Sequence, residues 1–466
     1  MNPLFQQPLQ VIGLGLAGFS DNLRAAGGKV LHLNWKPAAH GDSGANWLLA
    51  NLVNDARIEA ANRQALQQFL DAQPVLVDAV PASEAIPAMA GGERRILHAG
   101  PPIAWADMCG PMQGAIAGAI LFEGWASNID AASAMAQRGD VALEPCHHHA
   151  AVGPMAGIIS PSMPLWVVEN RAHGNRAFSN FNEGLGKVLR FGANGDEVLA
   201  RLRWMRDALA PTLRQALRSA GEIELKPMMA QALHMGDEVH NRNAAATGLF
   251  FKRVAAHLAR QTQGVSALEF IAANDHFFLN LSMAACKSML DAAAGVRHSS
   301  MVTVMARNGV NFGVRLSGTG DRWFQAPANP VDGLFFPGYD VNDAAPDLGD
   351  SAITETAGLG GFAMAASPAI VKFVGGTPAD ATRHSRDMQH ITLAQHTAFT
   401  LPALNFAGSG AGIDARRVVD RGILPVINTG IAHRLAGVGQ IGAGITTAPL
   451  TCFVDGLAAL AGQLEQ

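Results

Sequence analysis

Leu9-Gln-Val-Ile-Gly-Leu-Gly-Leu-Ala-Gly-Phe-Ser-Asp-Asn-Leu-Arg-Ala-Ala-Gly-Gly-Lys-Val-Leu-His-Leu33 reads as strand, glycine-rich turn, helix and strand. Two short apolar runs flanking an amphipathic stretch ask for parallel strands joined by a crossover helix, a βαβ unit. The spacing of Gly13, Gly15 and Gly18 matches the G-x-G-x-x-G turn that sets a helix N-terminus against a dinucleotide pyrophosphate. The second strand, however, runs into Asn34-Trp35-Lys36-Pro37, where a ribose-binding Asp or Glu belongs. The unit is therefore expected to open a Rossmann-like domain. Gly13, Gly15 and Gly18 are its cofactor-binding candidates, and the missing acid favours a structural turn over a nicotinamide site.

Outward from this unit, a helical stretch runs from Asn46 to about Ala72, and Pro74-Val-Leu-Val-Asp is expected to resume the parallel sheet and close a first domain at residues 1–95. Residues 96–194 are punctuated by Gly and Pro and read as a mixed α/β domain. Residues 195–295 read as mainly helical, with Arg and Leu at helical spacing over 195–220, and with Asn274 and Asp275 capping a helix to about Ala294. Residues 296–466 read as mixed α/β, beginning with a hairpin of Met301–Arg307 and Asn311–Leu316 around an Asn308-Gly309 turn. Gly318-Thr-Gly-Asp321-Arg322 reads as a second turn bearing an Asp-Arg pair.

A chain of 466 residues exceeds one core and buries a large interior. Charged residues make up only 15%, there are 50 glycines, and the formal charge is −4 without a Lys/Arg run, which argues against nucleic-acid and anionic-membrane partners. The amino end has no basic secretory n-region and no apolar run reaches spanning length uninterrupted, so a cytoplasmic protein is expected. Cys109, Cys146, Cys286 and Cys452 stand far apart and read as reduced thiols.

Against this background, His234-Met-Gly-Asp-Glu-Val-His-Asn-Arg-Asn243 concentrates site-building groups in a chain that is 49% hydrophobic. Read as a helix, it puts Asp237 and Asn241 on one face and His234, Glu238 and Arg242 on another. Its bland reading is a set of buried, salt-bridged helix caps. The catalytic candidates are Asp237, Glu238, His240 and Arg242, with Asn241 and Asn243 binding substrate. Thr354-Glu355-Thr356-Ala-Gly358-Leu-Gly360-Gly361 precedes a helix-favouring run and reads as an anion cradle, not a Walker loop. Its alternative is a tight turn between packed elements. Asn428, Thr429 and His433 repeat the theme, and Arg307 ends a strand where a guanidinium can reach a site. Pro145-Cys146-His147-His148-His149 is the metal suspect, yet strand geometry sends neighbouring side chains to opposite faces, so no metal ligand set is expected. His148 is instead read as lining a pocket. These groups suit a small anionic substrate. Transfer from an acyl or carbamoyl phosphate needs a clamped phosphate, a polarised carbonyl, a held acceptor and one general base such as His240 or Glu238.

Several stretches then carry a resemblance: Met108-Cys-Gly-Pro-Met, Pro145-Cys-His-His-His, Val152-Gly-Pro-Met-Ala-Gly with Ser160-Pro-Ser-Met-Pro, Asn182-Glu-Gly-Leu-Gly-Lys-Val-Leu-Arg-Phe-Gly-Ala, Ala232-Leu-His-Met-Gly-Asp-Glu-Val-His-Asn-Arg-Asn, Gly349-Asp-Ser-Ala-Ile-Thr-Glu-Thr and Asn428-Thr-Gly-Ile-Ala-His. Over nearly its whole length the chain resembles the AllG family with its YlbE and YahG relatives. The resemblance implies a multidomain α+β architecture: an amino-terminal Rossmann-like domain, a small helical domain and mixed α/β domains. It also implies a subunit of oxamate carbamoyltransferase, converting oxalurate and phosphate to oxamate and carbamoyl phosphate in allantoin catabolism. The implied partners are FdrA-like (AllF) and AllH subunits, with self-association as well, and the resemblance names no catalytic residues. No tightly bound cofactor is expected, and magnesium would ride on substrate oxygens. Two other readings compete: a non-catalytic binding or scaffold subunit of an FdrA-like complex, and an enzyme binding NAD(P) or coenzyme A at the Gly13–Gly18 turn.

Overall fold

The computed structural model describes residues 10–33 and 37–465. Strands Gln10–Leu14 and Lys29–Leu33 pair in parallel, with helix Ala17–Ala25 between them in sequence. Gly13 is required by this packing, because a Cβ there would stand 2.1 Å from Ser20 Oγ, which bonds His32 Nδ1 at 2.8 Å. Among the described residues this sheet has two strands, so the βαβ unit is not extended there into a Rossmann sheet. Ile12, Leu14, Leu31 and Leu33, alternate residues that share one face, remain exposed, whereas parallel sheets are ordinarily covered on both faces. Asn34, Trp35 and Lys36, which stand where a ribose-binding acid belongs, lie outside the described residues, as does the amino end.

Two helices, Ser43–Leu52 and Ala56–Asp71, follow in place of a continuous one. Asp42 caps the first, accepting from Ala45 N, and Asp55 caps the second, accepting from Arg57 N and Ile58 N. Strand Pro74–Pro81 then joins a different sheet from the one expected, and in the opposite sense: it runs antiparallel to both Pro164–Asn170 and Ile223–Glu224. Residues Pro74 to Leu76 are buried in succession, and a buried apolar run looks alike in parallel and antiparallel surroundings. The pairing crosses the boundary expected at residue 95. Arg176–Asn180 and Ala151–Val152 complete this five-stranded sheet.

Residues 196–292 are nearly all helix: Asp196–Trp204, a π-turn at Met205–Leu209, then Ala210–Ala220, Leu225–His234, Ala244–Leu258, Gly264–Ala272 and Leu279–Ala292. The last is the pivot of the molecule, buried at every position from Leu279 to Leu290. Its small residues, Ser282, Ala284, Ala285 and Ser288, let neighbours approach from all sides. Strands Pro164–Asn170 and Arg176–Asn180 pack against it, as does the short helix Ile353–Thr356. Its buried amide is satisfied: Asn280 Nδ2 donates to Asn180 O at 2.7 Å, and Asn182 Nδ2 donates to Asn280 Oδ1 at 2.9 Å. Trp166 stacks on Phe181 with ring centroids 4.1 Å apart and meets Phe250 and Phe277 edge-on, anchoring the sheet to the helices.

The hairpin of Val302–Asn308 and Asn311–Leu316 forms as its sequence asks. Gly309 takes the left-handed φ of +80° and Asn308 Oδ1 receives Val310 N and Asn311 N. Phe324–Pro327 and Leu348–Gly349 extend that sheet, and Asp332–Phe335, Gln440–Thr447 and Val426–Ala432 make another. The turn acid Asp321 pairs with Arg315, while Arg322 lies 5.2 Å over Phe324, so the adjacent Asp-Arg pair does not form. One apolar core holds side chains from Ala61 through Ala432, so elements far apart in sequence share an interior. Among the described residues no helix is long and apolar enough to cross a membrane.

Candidate functional site

The polar run is a loop and not a helix: one helix stops at His234 and the next begins at Ala244. No helical face therefore joins His234, Glu238 and Arg242, or Asp237 and Asn241. The reason lies in its acids. Glu238 accepts the backbone N–H groups of Asn241 and Arg242 within the loop, and Asp237 Oδ2 accepts Ala246 N at 2.9 Å in the first turn of the next helix. Directly after these acids Val239, fully buried and β-branched, is held at φ +63°, a strained conformation of about 1–3 kcal/mol that the surrounding structure must enforce.

The loop meets the cradle expected at residues 354–361, but through His240. His240 Nδ1 lies 2.7 Å from Glu355 Oε1, and both side chains are buried. Glu355 also receives Gly361 N at 2.9 Å, Asn428 N at 3.4 Å and the Thr354 hydroxyl at 3.0 Å. Of the stretch read as an anion cradle, the Gly361 amide and the Thr354 hydroxyl thus go to the protein's own carboxylate, and the amides of Ala357 to Gly360 go to backbone carbonyls. Gly360 must be glycine: its φ is +53° and a Cβ would stand 2.0 Å from Glu355 Oε1. Gly361 abuts the Val426 carbonyl, Gly358 the Gly410 carbonyl, and Thr356 donates to Ala352 O. With a proton on Nδ1 donated to Glu355, His240 keeps Nε2 free as an acceptor.

Glu238 is completely buried and receives Asn428 Nδ2 at 3.2 Å besides the two amides. Burial pushes its carboxyl up to about 7, against the pull of nearby His240 and of its amide donors. A group near neutrality can exchange a proton at working pH. Asn428 ties the two acids together, its backbone on Glu355 and its amide on Glu238.

His240 and Asn241 open onto a small cavity of ≈ 20 Å³ whose other polar walls are Arg190, His276, Ser351 and Gln440. That volume holds about one water, so a substrate must displace part of the lining. Leu185, exposed between Gly184 and Gly186, both of positive φ, is part of that lining. His276 is pushed down to about 4 by burial, then by Arg190 and His240, and is neutral at physiological pH. Arg190 is buried on the face of Phe191, and one guanidinium nitrogen donates to Gly184 O at 2.7 Å. Its Nε and the Asn241 side-chain nitrogen have no acceptor.

The remaining candidates divide. Arg307 does not reach the cavity as a clamp: it is fully buried, bidentate on Asp347 at 2.6 and 2.9 Å, and bonded to Gly349 O, Ser351 Oγ and Thr429 Oγ1. It is a cross-link behind the site, with Thr429 part of it. Arg242 carries its partly exposed guanidinium to Asp237, 3.5 Å away, and stays off the cavity, so it is the loop and not this side chain that meets residues 354–361. Asn243 Nδ2 donates to His240 O and braces the loop. His433 sits by Asp343 and Tyr339, and His148 is exposed with Trp323 Nε1 donating to its Nε2 at 2.9 Å; both lie off the cavity lining. Gly13, Gly15 and Gly18 lie in the separate βαβ unit. Cys146–His149 is a 3-10 turn and not a strand. Its side chains go to different partners: Cys146 to Gly157 O, His147 toward Asp350 at 3.3 Å, His148 to Trp323 and His149 to Glu144. Arg190, Ser351 and Gln440 were not singled out by sequence; for Arg190 the signal was an arginine set between Leu189 and Phe191 in an otherwise apolar stretch.

A family model described as oxamate carbamoyltransferase subunit AllG matches residues 141–351, a span that holds Arg190, Glu238, His240 and His276. The chain is 50% identical over 410 residues to oxamate carbamoyltransferase subunit AllG of Escherichia coli (strain K12), covering 87% of this chain and 98% of that one. It is 47% identical over 457 residues to uncharacterized protein YahG of the same strain, covering 97% and 96%. A crystal structure of a conserved protein of unknown function from Enterococcus faecalis V583 superposes with a TM-score of 0.85 at 46% identity, covering 87% of this chain and 98% of that one.

Proposed function

The chain belongs to the AllG family, and from that premise we propose that it is a carbamoyltransferase subunit, exchanging a carbamoyl group between phosphate and a small amide such as oxamate. The observation that supports a reaction in this subunit is the buried His240–Glu355 pair, with His240 Nε2 free beside a polar cavity. In the direction from oxalurate, a phosphate oxygen attacks the carbamoyl carbon, the bond from that carbon to the amide nitrogen breaks, and oxamate leaves. The proton lost by phosphate must reach the departing nitrogen. His240 can take it on Nε2 and return it, while Glu355 stabilises the transient imidazolium through Nδ1. Glu238 and Glu355 are both engaged by internal donors, so magnesium would arrive only on substrate phosphate oxygens.

In this reading the enzyme is a hetero-oligomer completed by FdrA-like (AllF) and AllH subunits, acting in allantoin nitrogen catabolism. A second reading, a binding or scaffold subunit with chemistry housed in a partner, draws on the exposed apolar face of the βαβ unit. One assay separates them. Carbamoyl phosphate formation from oxalurate and phosphate is measured in the assembled complex with wild-type chain and with His240→Gln. A collapse of turnover with assembly intact supports catalysis here; undiminished turnover places it in a partner.

A further inference from the structure

Resting on the carbamoyl-transfer reading, we propose that Arg190 holds the substrate's carboxylate, seating a small amide acid in the cavity beside His240. Four arginines of the described chain are buried: Arg190, Arg307, Arg315 and Arg416. Three have an acid in hand, Arg307 with Asp347, Arg315 with Asp321 and Arg416 with Asp414. Arg190 alone makes no ion pair among the described residues, although only 6% of its surface is exposed. The one acid whose charge acts on it, Glu183, offsets part of the cost of burial but forms no ion pair with the guanidinium, its carboxylate receiving Leu189 N at 2.9 Å and Arg190 N at 3.3 Å.

A buried guanidinium with no acid in direct contact is costly, and such a group persists where a ligand supplies the paired charge. Burial lowers the Arg190 guanidinium to about 10, which still leaves it charged at neutral pH. Its unpartnered Nε and the unpartnered Asn241 amide nitrogen are donors on residues of the same cavity. Planar donors of this kind match a carboxylate, and the neutral His276 adds no competing charge. The carboxylate end of oxamate on Arg190 leaves the amide end toward His240 Nε2, where the proton must move.

The test is calorimetric binding to the full chain with the subunits that co-purify with it, using oxamate, its uncharged analogue oxamide and inorganic phosphate as probes. Wild type is expected to bind oxamate at least about tenfold more tightly than oxamide. Arg190→Gln should remove that preference and leave phosphate affinity within about twofold. Equal binding of oxamate and oxamide by wild type overturns the assignment, as does a folded Arg190→Gln that keeps the preference or one that loses phosphate instead. If Arg190→Gln does not fold, Arg190→Lys carries the same test, with the preference reduced but not abolished, because charge remains and the fork is gone. Binding does not depend on turnover: oxamate bound selectively through Arg190 with no carbamoyl phosphate formed would leave this assignment standing and remove the carbamoyl-transfer reading.

Discussion

Replacing Glu238 with glutamine should erase a pH dependence that this one buried carboxyl imposes on stability. In the unfolded chain the group titrates at its ordinary 4.5; in the folded chain burial holds it at about 7. Between those values the folded state keeps a proton that the unfolded state has released, so stability falls as pH rises through the window and levels off above about 7. A displacement from 4.5 to about 7, at about 1.4 kcal/mol per unit, amounts to about 3 kcal/mol. His276, pushed down to about 4, works in the opposite sense: its folded form has released a proton that the unfolded form still holds, so it adds stability as pH rises. The wild-type curve alone would mix the two, which is why the difference between wild type and Glu238→Gln is the quantity to follow. Glutamine can keep its oxygen toward Asn241 N, Arg242 N and Asn428 Nδ2, so the substitution brings mainly a constant, pH-independent penalty. Urea unfolding of both proteins from about pH 4.5 to about pH 7.5 should show wild type losing about 3 kcal/mol relative to the variant. A difference that stays flat across that range would refute the reasoning.

Glu355→Gln keeps an acceptor for His240 Nδ1 but removes the charge that stabilises an imidazolium, so kcat in the assembled enzyme should fall about ten- to a hundredfold while the melting temperature moves little; an unchanged kcat would show that His240 does not cycle through its charged form. Asp347→Ala strands the Arg307 guanidinium without its acid and should destabilise the chain by about 3–5 kcal/mol in denaturant unfolding, with a loss under 1 kcal/mol counting against the cross-link. Arg242→Lys should change stability by less than about 0.5 kcal/mol and leave kinetics near wild type, because its only ion pair is long and half in solvent; a tenfold loss of kcat/KM would restore it as a substrate clamp.

What could be read in the sequence was whatever is decided locally. The βαβ unit at residues 10–33 and the hairpin at 302–316 follow from periodicity and from glycines whose turns need them, and both form as read. The sheet containing Pro74–Pro81 was not legible, because its neighbours come from residues 164–170 and 223–224 and nothing in a buried apolar strand names its partners. At the candidate site, the density of polar groups at residues 237–243 drew the reading to a segment that lines the cavity, yet the helix assigned to it ignored how strongly a carboxylate competes for backbone amides. The Thr354–Gly361 stretch was read as a cradle for a substrate anion, whereas its Gly361 amide holds Glu355 of the same stretch and the amides of Ala357 to Gly360 go to backbone carbonyls. Arg307, read as reaching a site, is a cross-link, and Arg190 drew no reading at all. Each is a buried arginine, and only the position of an acid, Asp347 paired with one and none paired with the other, separates them.

The same long-range dependence explains why the site is lodged in the common core and not on a separable module. Two residues beside the cavity carry left-handed backbones that side chains rarely adopt, Val239 at φ +63° and Met155 at φ +56°. Neither is held by its own loop alone. Val239 is fixed by Arg242 O, which accepts its N–H at 3.1 Å, and by Ser282 Oγ from the buried central helix, 3.4 Å from its carbonyl. Met155 packs against Gly349, where a Cβ would stand 2.6 Å from Met155 N, and Gly349 in turn accepts from Arg307. The helix at 279–292, the hairpin at 302–316 and the Arg307–Asp347 cross-link thus enforce backbone geometry next to His240 that the loops would relax if left alone. Strain of this kind persists only where several independent elements over-determine it, so the apolar core and the chemistry of the cavity are one cooperative construction, and residues that never touch substrate set the position of those that do.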